Sequence, residues 1–165
     1  MDVATIQVAA VTSPDQWTLG AGASKVAAVL SPDDDDTSYI TSTVINNEQR
    51  FSLASNPIPI GSTISQVRCF SRTKRGGSSN GAMRVGVFLG ASSYYSEDST
   101  APSVYLSRQQ IMTRPGGGHW TPIDFNALEV STQLRSYTRL VRCTSLWLIV
   151  DYTPPANTGD FFKLF

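Results

Sequence analysis

The sequence predicts an all-β protein, a jelly-roll-like antiparallel β-sandwich with one short helix and an N-terminal arm. Three observations lead to this prediction. The chain of 165 residues has the size of one domain with a substantial core. Short segments in which apolar and polar residues alternate recur along it, separated by turn formers such as NPIPIGS and RPGGG. A helical pattern is confined to one brief segment.

The alternation is clearest in AMRVGVFLG, residues 82–90, and in SLWLIVDY, residues 145–152. Further strands are predicted in TSYITSTVI, QRFSLAS, TISQVRCFSR and PSVYLSR, because these segments are short and rich in β-branched and aromatic residues. The side chains that this alternation predicts to face the core are Val85, Val87, Leu89, Leu146, Leu148 and Val150.

The short helix is predicted in WTPIDFNALEV, residues 120–130. Thr121 is a suitable N-cap, Pro122 fits the first helical position, and Asp124 lies in the first turn, where the helix dipole favours a negative charge. Phe125 and Leu128 are expected to face inward.

Apolar segments flank the predicted sandwich domain, which covers residues 20–153. Residues 1–19 are either an N-terminal arm or an ordinary first strand, and residues 154–165 form a C-terminal tail. Because free ends are rarely so apolar, we expect these segments to contact another subunit or a capsid. Packing of the tail against its own sandwich is the alternative. The predicted contact residues are Ile6, Val8, Trp17, Phe161, Phe162 and Phe165.

Charge is sparse and unevenly distributed. Charged residues make up 16% of the chain, and the formal net charge is zero. Residues 1–49 hold seven acidic residues and one basic residue, whereas the remainder holds twelve basic and six acidic residues. Such complementarity suits an oligomer, and the zero balance argues against nucleic acid as the main partner. No apolar run is long enough to span a membrane, and no Sec signal is visible at the amino terminus.

Four consecutive aspartates, 33 to 36, raise the question of a metal site. In extended backbone they point alternately to opposite sides, so at most two of them, such as Asp34 and Asp36, would converge on one ion. We therefore predict no metal. A solvated loop explains the run as well, and the basic segment RTKRGG, residues 72–77, is an alternative partner for it.

No catalytic constellation is apparent, so we predict neither an enzyme nor a cofactor. Cys69 and Cys143 are predicted to be buried free thiols, and the chain has one histidine, His119, in a Gly-rich turn. Glu97 and Asp98 belong to a set of carboxylates in which no pair is distinguished. Five aromatic residues raise the possibility of a sugar-stacking platform, although core packing explains them as well: Trp17, Tyr94, Tyr95, Tyr105 and Trp120.

The order of several motifs resembles a family of β-sandwich proteins encoded among the structural genes of tailed bacteriophages. These motifs are PDDDDTSYI, then FSLASNPIPIGSTISQVRCFSRTKRG, then MRVGVFLG, HWTPIDFNALEV and a closing LWLIVDYTPP. The resemblance implies a virion component made in the host cytoplasm. In some members of such a family this is a capsid cement or decoration protein, and in others a tail or fibre accessory.

Two functions follow as expectations from this resemblance. The first is a homotrimeric decoration protein on the capsid surface, with the major capsid protein as its partner. The second is a carbohydrate- or receptor-binding accessory module of the phage tail or fibre. A groove lined by Tyr94, Tyr95 and Trp120 would favour the second.

Overall fold

A computed structural model describes residues 1–30, 35–76, 81–136 and 140–156. It confirms the all-β, jelly-roll-like sandwich. The strands in the described residues are β1 (Asp2–Asp15), β2 (Thr18–Ala21), β3 (Tyr39–Ser42), β4 (Glu48–Leu53), β5 (Thr63–Arg75), β6 (Gly81–Leu89), β7 (Ser92–Tyr95), β8 (Ser99–Ala101), β9 (Leu106–Ile111), β10 (Leu128–Leu134) and β11 (Val141–Thr153). The helical segments are α1 (Lys25–Ala28) and two 3-10 helices, Asp35–Thr37 and Pro122–Asn126.

The strands form two layers that share β1. The first sheet runs β2, β3, β11, β5, β9, and the amino-terminal half of β1 also pairs with β11. The second sheet runs from the carboxy-terminal half of β1 through β4, β10 and β6 to β7, and β8 pairs with β6 as well. A register shift between Val8 and Ala10 accompanies the passage of β1 from one sheet to the other.

The core lies between the two layers and follows the predicted alternation. Five of the six predicted core residues are fully buried: Val85, Val87, Leu146, Leu148 and Val150. The sixth, Leu89, is partly buried against the same cluster. The predicted free thiols are confirmed as well. Cys69 and Cys143 are unpaired and have no exposed surface, and burial raises the pKa of the Cys143 thiol to about 12.

The amino-terminal segment is the first strand of this sandwich, one of the two alternatives predicted for it. Ile6, Val8 and Trp17 are 1%, 2% and 2% exposed and belong to the core of their own chain. The indole Nε1 of Trp17 donates a hydrogen bond to the carbonyl of Asn47 at 3.0 Å. The expectation that these three side chains contact another subunit is therefore wrong. Their alternation serves the inner face of β1.

The predicted helix is present as a 3-10 helix that ends earlier than expected. Phe125 and Leu128 are buried, as predicted, but Leu128 already opens β10. The Asp124 carboxylate accepts hydrogen bonds from the Thr121 backbone at 2.8 Å and from Arg114 at 2.9 and 3.0 Å. Burial would raise the pKa of Asp124, yet these donors outweigh it and hold the pKa below its usual value.

Other expectations need correction or lie outside the described residues. PSVYLSR does not form a strand over its length, because β9 begins only at Leu106. The basic residues Arg72, Lys74 and Arg75 of the segment RTKRGG lie at the end of β5. Asp34, Phe161, Phe162 and Phe165 are not described. None of the helices in the described residues has both the length and the apolar character needed to cross a membrane.

Candidate functional site

An open depression of about 270 Å³ lies where the edges of the two sheets meet. We call it the edge depression. Strand β9 borders the first sheet here, and β7 and β8 border the second. The residues that line it are Tyr94, Ser96, Glu97, Asp98, Ser99, Gln110 and Ile111. One aromatic and one aliphatic side chain thus stand among carboxylates, hydroxyls and an amide.

The wall from the second sheet forms because two short strands share the edge of β6. Strand β7 pairs with residues 86–89 of β6, and β8 pairs with residues 81–83. Ser96 fills the interval between them. Its backbone N–H donates to the Val85 carbonyl at 2.9 Å, and its hydroxyl accepts from the Val85 N–H at 3.1 Å. Residues 96–98 therefore cross the gap in a fixed position, with Glu97 and Asp98 at its rim.

A side-chain bridge links this wall to the opposite one. The Gln110 Nε2 donates to the Ser99 hydroxyl at 3.4 Å, and that hydroxyl donates to the Met83 carbonyl at 3.2 Å. Next to Gln110, the Ile111 side chain is 63% exposed. Tyr94 packs partly against the core. The depression is therefore preformed, with an apolar element on each side and hydrogen-bonding groups between them.

The charge of the edge depression is negative. Glu97 and Asp98 supply two carboxylates, and Asp98 accepts a weak ion-pair contact from Arg135 at 3.4 Å. Arg135 also hydrogen-bonds the Asn46 side chain. Since none of the described residues that line the depression is a lysine, arginine or histidine, its carboxylates suit hydroxyl or amine donors and disfavour an anionic ligand.

Tyr95, the next residue, points to the opposite side of β7 and belongs to a different cluster. Its hydroxyl donates to Glu48 at 3.0 Å, and burial and the negative charge of Glu48 raise the Tyr95 pKa. A Cβ atom at Gly86 would lie 2.8 Å from the ring, so glycine is needed beneath it. The guanidinium carbon of Arg84 lies 3.8 Å from the centroid of the Tyr95 ring. A ring held between Gly86 and Arg84 is not a free stacking surface.

The remaining aromatic candidates also contact other side chains or backbone groups of the protein. Trp120 stacks on Phe125 with ring centroids 5.6 Å apart and donates its Nε1–H to the Met112 carbonyl at 3.2 Å. Tyr105 donates to the Asp36 carboxylate at 3.2 Å. Of the five aromatic residues considered for sugar stacking, only Tyr94 lines the edge depression.

The Asp36 carboxylate contacts three side chains of its own chain. It accepts from Lys74 at 3.0 Å and from Arg142. The hydrogen bond from Lys74 is the largest of the influences that lower the Asp36 pKa, with Arg142 and Tyr105 adding to it. Lys74 belongs to the basic segment that was the predicted alternative partner. Within the described residues, no group of three or more His, Cys, Asp or Glu side chains is placed to hold a metal ion.

Sequence reasoning noted Tyr94, Glu97 and Asp98 as residue types but did not group them. No sequence motif pointed to the other four lining residues, Ser96, Ser99, Gln110 and Ile111. They join the site only because edge strands from two sheets come together, and those edges are set by tertiary pairing.

Comparison with known proteins adds information on the fold alone. No protein-family model and no curated protein matches the chain. Among solved structures, the chain is similar to the CBM22-1 xylan-binding domain of Xyn10C from Paenibacillus barcinonensis. The TM-score is 0.50 and the sequence identity 8%, over 86% of this chain and 84% of that one. The likeness agrees with the β-sandwich described above.

Proposed function

We propose that this protein is a non-catalytic carbohydrate-binding module and that the edge depression holds the sugar. The observation that carries the proposal is the grouping of Tyr94 and Ile111 with two carboxylates, two hydroxyls and an amide in one open depression. Sugars present apolar C–H faces together with hydroxyl groups, so they match a site with apolar walls and several hydrogen-bonding groups. The similar fold of a xylan-binding domain supports this proposal.

The size and charge of the depression narrow the ligand. A volume of about 270 Å³ is just below the roughly 300–1,000 Å³ of most small-molecule sites. It therefore suits a short stretch of a glycan, with the rest of the chain in solvent. Glu97 and Asp98 accept hydrogen bonds from sugar hydroxyls. Neutral polysaccharides such as xylan are thus favoured over polyanionic ones such as polygalacturonate.

Affinity electrophoresis and calorimetry against xylan, a β-glucan, a mannan and polygalacturonate test this proposal. We expect binding to at least one neutral polymer and none to polygalacturonate. Because each variant removes a wall or an acceptor, Tyr94→Ala and Glu97→Gln should each lower that affinity about tenfold or more, equivalent to roughly 1.4 kcal/mol.

Matched controls for this experiment carry the same substitutions outside the depression. Tyr105→Ala and Glu129→Gln should retain the parent affinity. If no neutral glycan binds, or if the control variants lose binding as much as the depression variants do, the assignment of the site is wrong.

A second candidate, a capsid decoration protein of a tailed bacteriophage, is supported by the resemblance of the ordered motifs and by the apolar side chains near the carboxy terminus. In that function the protein would be a homotrimer on the capsid surface bound to the major capsid protein. Rebinding of the purified protein to phage heads stripped of it distinguishes this candidate from the first.

A further inference from the structure

Strand β9 forms an edge of the first sheet. It pairs with β5 from Arg68 to Thr73, and within the described residues it has no second strand partner. Four of its six residues are exposed. Leu106 is 44% exposed and Ile111 63%, and Val104, just before the strand, is 68% exposed. β9 therefore presents apolar side chains along with an open backbone edge.

Edge strands of β-sheets usually carry features that prevent pairing with another strand, such as a proline, a lysine, a bulge or a very short length. β9 lacks these features. The sequence LSRQQI contains no proline and no lysine, with Arg108 as its one charged residue. Its register with β5 continues without a shift over the whole strand. Such a strand is suited to accept another strand.

We propose that β9 pairs antiparallel with β9 of a second copy of this chain, about a two-fold axis at Gln109. In this register Gln109 lies opposite Gln109, Arg108 opposite Gln110, and Ser107 opposite Ile111. A two-fold axis perpendicular to the sheet keeps both faces continuous, so an outward-facing residue must lie opposite another outward-facing residue.

Charge disfavours the neighbouring register whose axis lies one residue earlier, at Arg108. Moving the axis by one residue would place Arg108 directly opposite Arg108, and like charges in that position are destabilising. With the axis at Gln109, each arginine faces a glutamine amide that is able to accept its hydrogen bonds. The register also continues a cross-strand row. Gln109, Phe70, Trp147 and Gln7 lie side by side across β9, β5, β11 and β1, and the second copy would extend this row.

The contact is small, because in this register only residues 107–111 of β9 pair on each side. We therefore expect a weak dimer whose population rises with protein concentration. Gln110 and Ile111 belong both to β9 and to the lining of the edge depression. Pairing of β9 would therefore place the second copy directly beside that depression.

Cross-linking tests the register directly. Residues directly opposite each other in antiparallel strands have Cα atoms about 4.5–5.5 Å apart, within the range of about 4.4–6.8 Å that a disulfide spans. Gln109→Cys should therefore form a covalent dimer on mild oxidation. The native Cys69 and Cys143 are fully buried and should not compete. Ser107→Cys is the control, because the two copies of residue 107 would lie about 13 Å apart along the strands.

Sedimentation analysis over a wide concentration range tests the dimer without cross-linking. The parent should pass from monomer to dimer. Gln109→Lys should remain monomeric, because it sets two ammonium groups opposite each other. Gln7→Lys, at the far end of the same row, should dimerise like the parent. A parent that stays monomeric, a trimer indifferent to Gln109→Lys, or equal cross-linking of Ser107→Cys and Gln109→Cys would overturn the proposal.

Discussion

Trp17→Ala is expected to lower the free energy of unfolding by about 3–5 kcal/mol, the range for removing a large buried aromatic side chain. Trp17 is 2% exposed, and its indole N–H bonds the Asn47 carbonyl at 3.0 Å. The substitution leaves a cavity where β1 leaves the core and removes the donor to that carbonyl. The loss should be measurable by urea unfolding as a lower midpoint with an unchanged slope.

Trp147→Ala is the matched control, because Trp147 is only partly buried and stacks on Phe70 at 4.2 Å on the outer face of the first sheet. Its truncation should cost clearly less than that of Trp17. Equal costs, or a Trp17→Ala variant that keeps its stability but loses an oligomer, would show that Trp17 belongs to an interface as the sequence had suggested.

Leu148→Ala is expected to lower the free energy of unfolding by about 2–5 kcal/mol through the lost burial and the remaining cavity. Leu148 has no exposed surface. It lies in β11 between Ile6 of β1 and Cys69 of β5, at the centre of the first sheet. Neighbouring strands on both sides restrict the collapse of the cavity, which favours the upper part of that range.

Ile149→Ala, one residue further along β11, is the control for Leu148→Ala. Its side chain is on the outer face and remains partly exposed, so thermal and urea unfolding should show a smaller loss. If the unfolding midpoint of Leu148→Ala hardly moved, the assignment of the inner face of β11 would be wrong.

The sandwich could be predicted because period two is a local property that reflects burial of one face. Val85, Val87, Leu148 and Val150 alternate in sequence as they do in the structure. The end of the short helix was harder to predict. Leu128 fits an inward helical position and an inward strand position equally well, and only its pairing with Leu89 on β6 decides between them.

The same ambiguity explains the error at the amino terminus. Ile6 and Val8 alternate with polar residues, a pattern shared by a strand that closes its own core and an arm that adds to another chain. The pairing of Ile6 with Leu148 selects the first. The alternation alone does not show whether a strand packs into the core of its own chain or of another chain.

The candidate site was less predictable than the fold. Tyr94 and Tyr95 are adjacent residues of the same type, and the sequence does not distinguish their roles. The pairing of β7 with β6 places Tyr94 in the edge depression and Tyr95 against Glu48. Gln110 joins Tyr94 only because edges from two different sheets meet. Local pattern predicts which strands exist, whereas the order of strands at an edge depends on the whole chain.

NMR titration of the isotope-labelled protein with a short xylo-oligosaccharide, or with the best neutral ligand of the screen, tests the claim that the edge depression binds a neutral glycan. We predict that saturable changes in backbone amide chemical shift cluster at residues 94–99 and 110–111, and that Tyr94→Ala abolishes them. Changes that cluster instead around Tyr95, Arg84 and Glu48, or spectra that no neutral glycan alters, would contradict the claim.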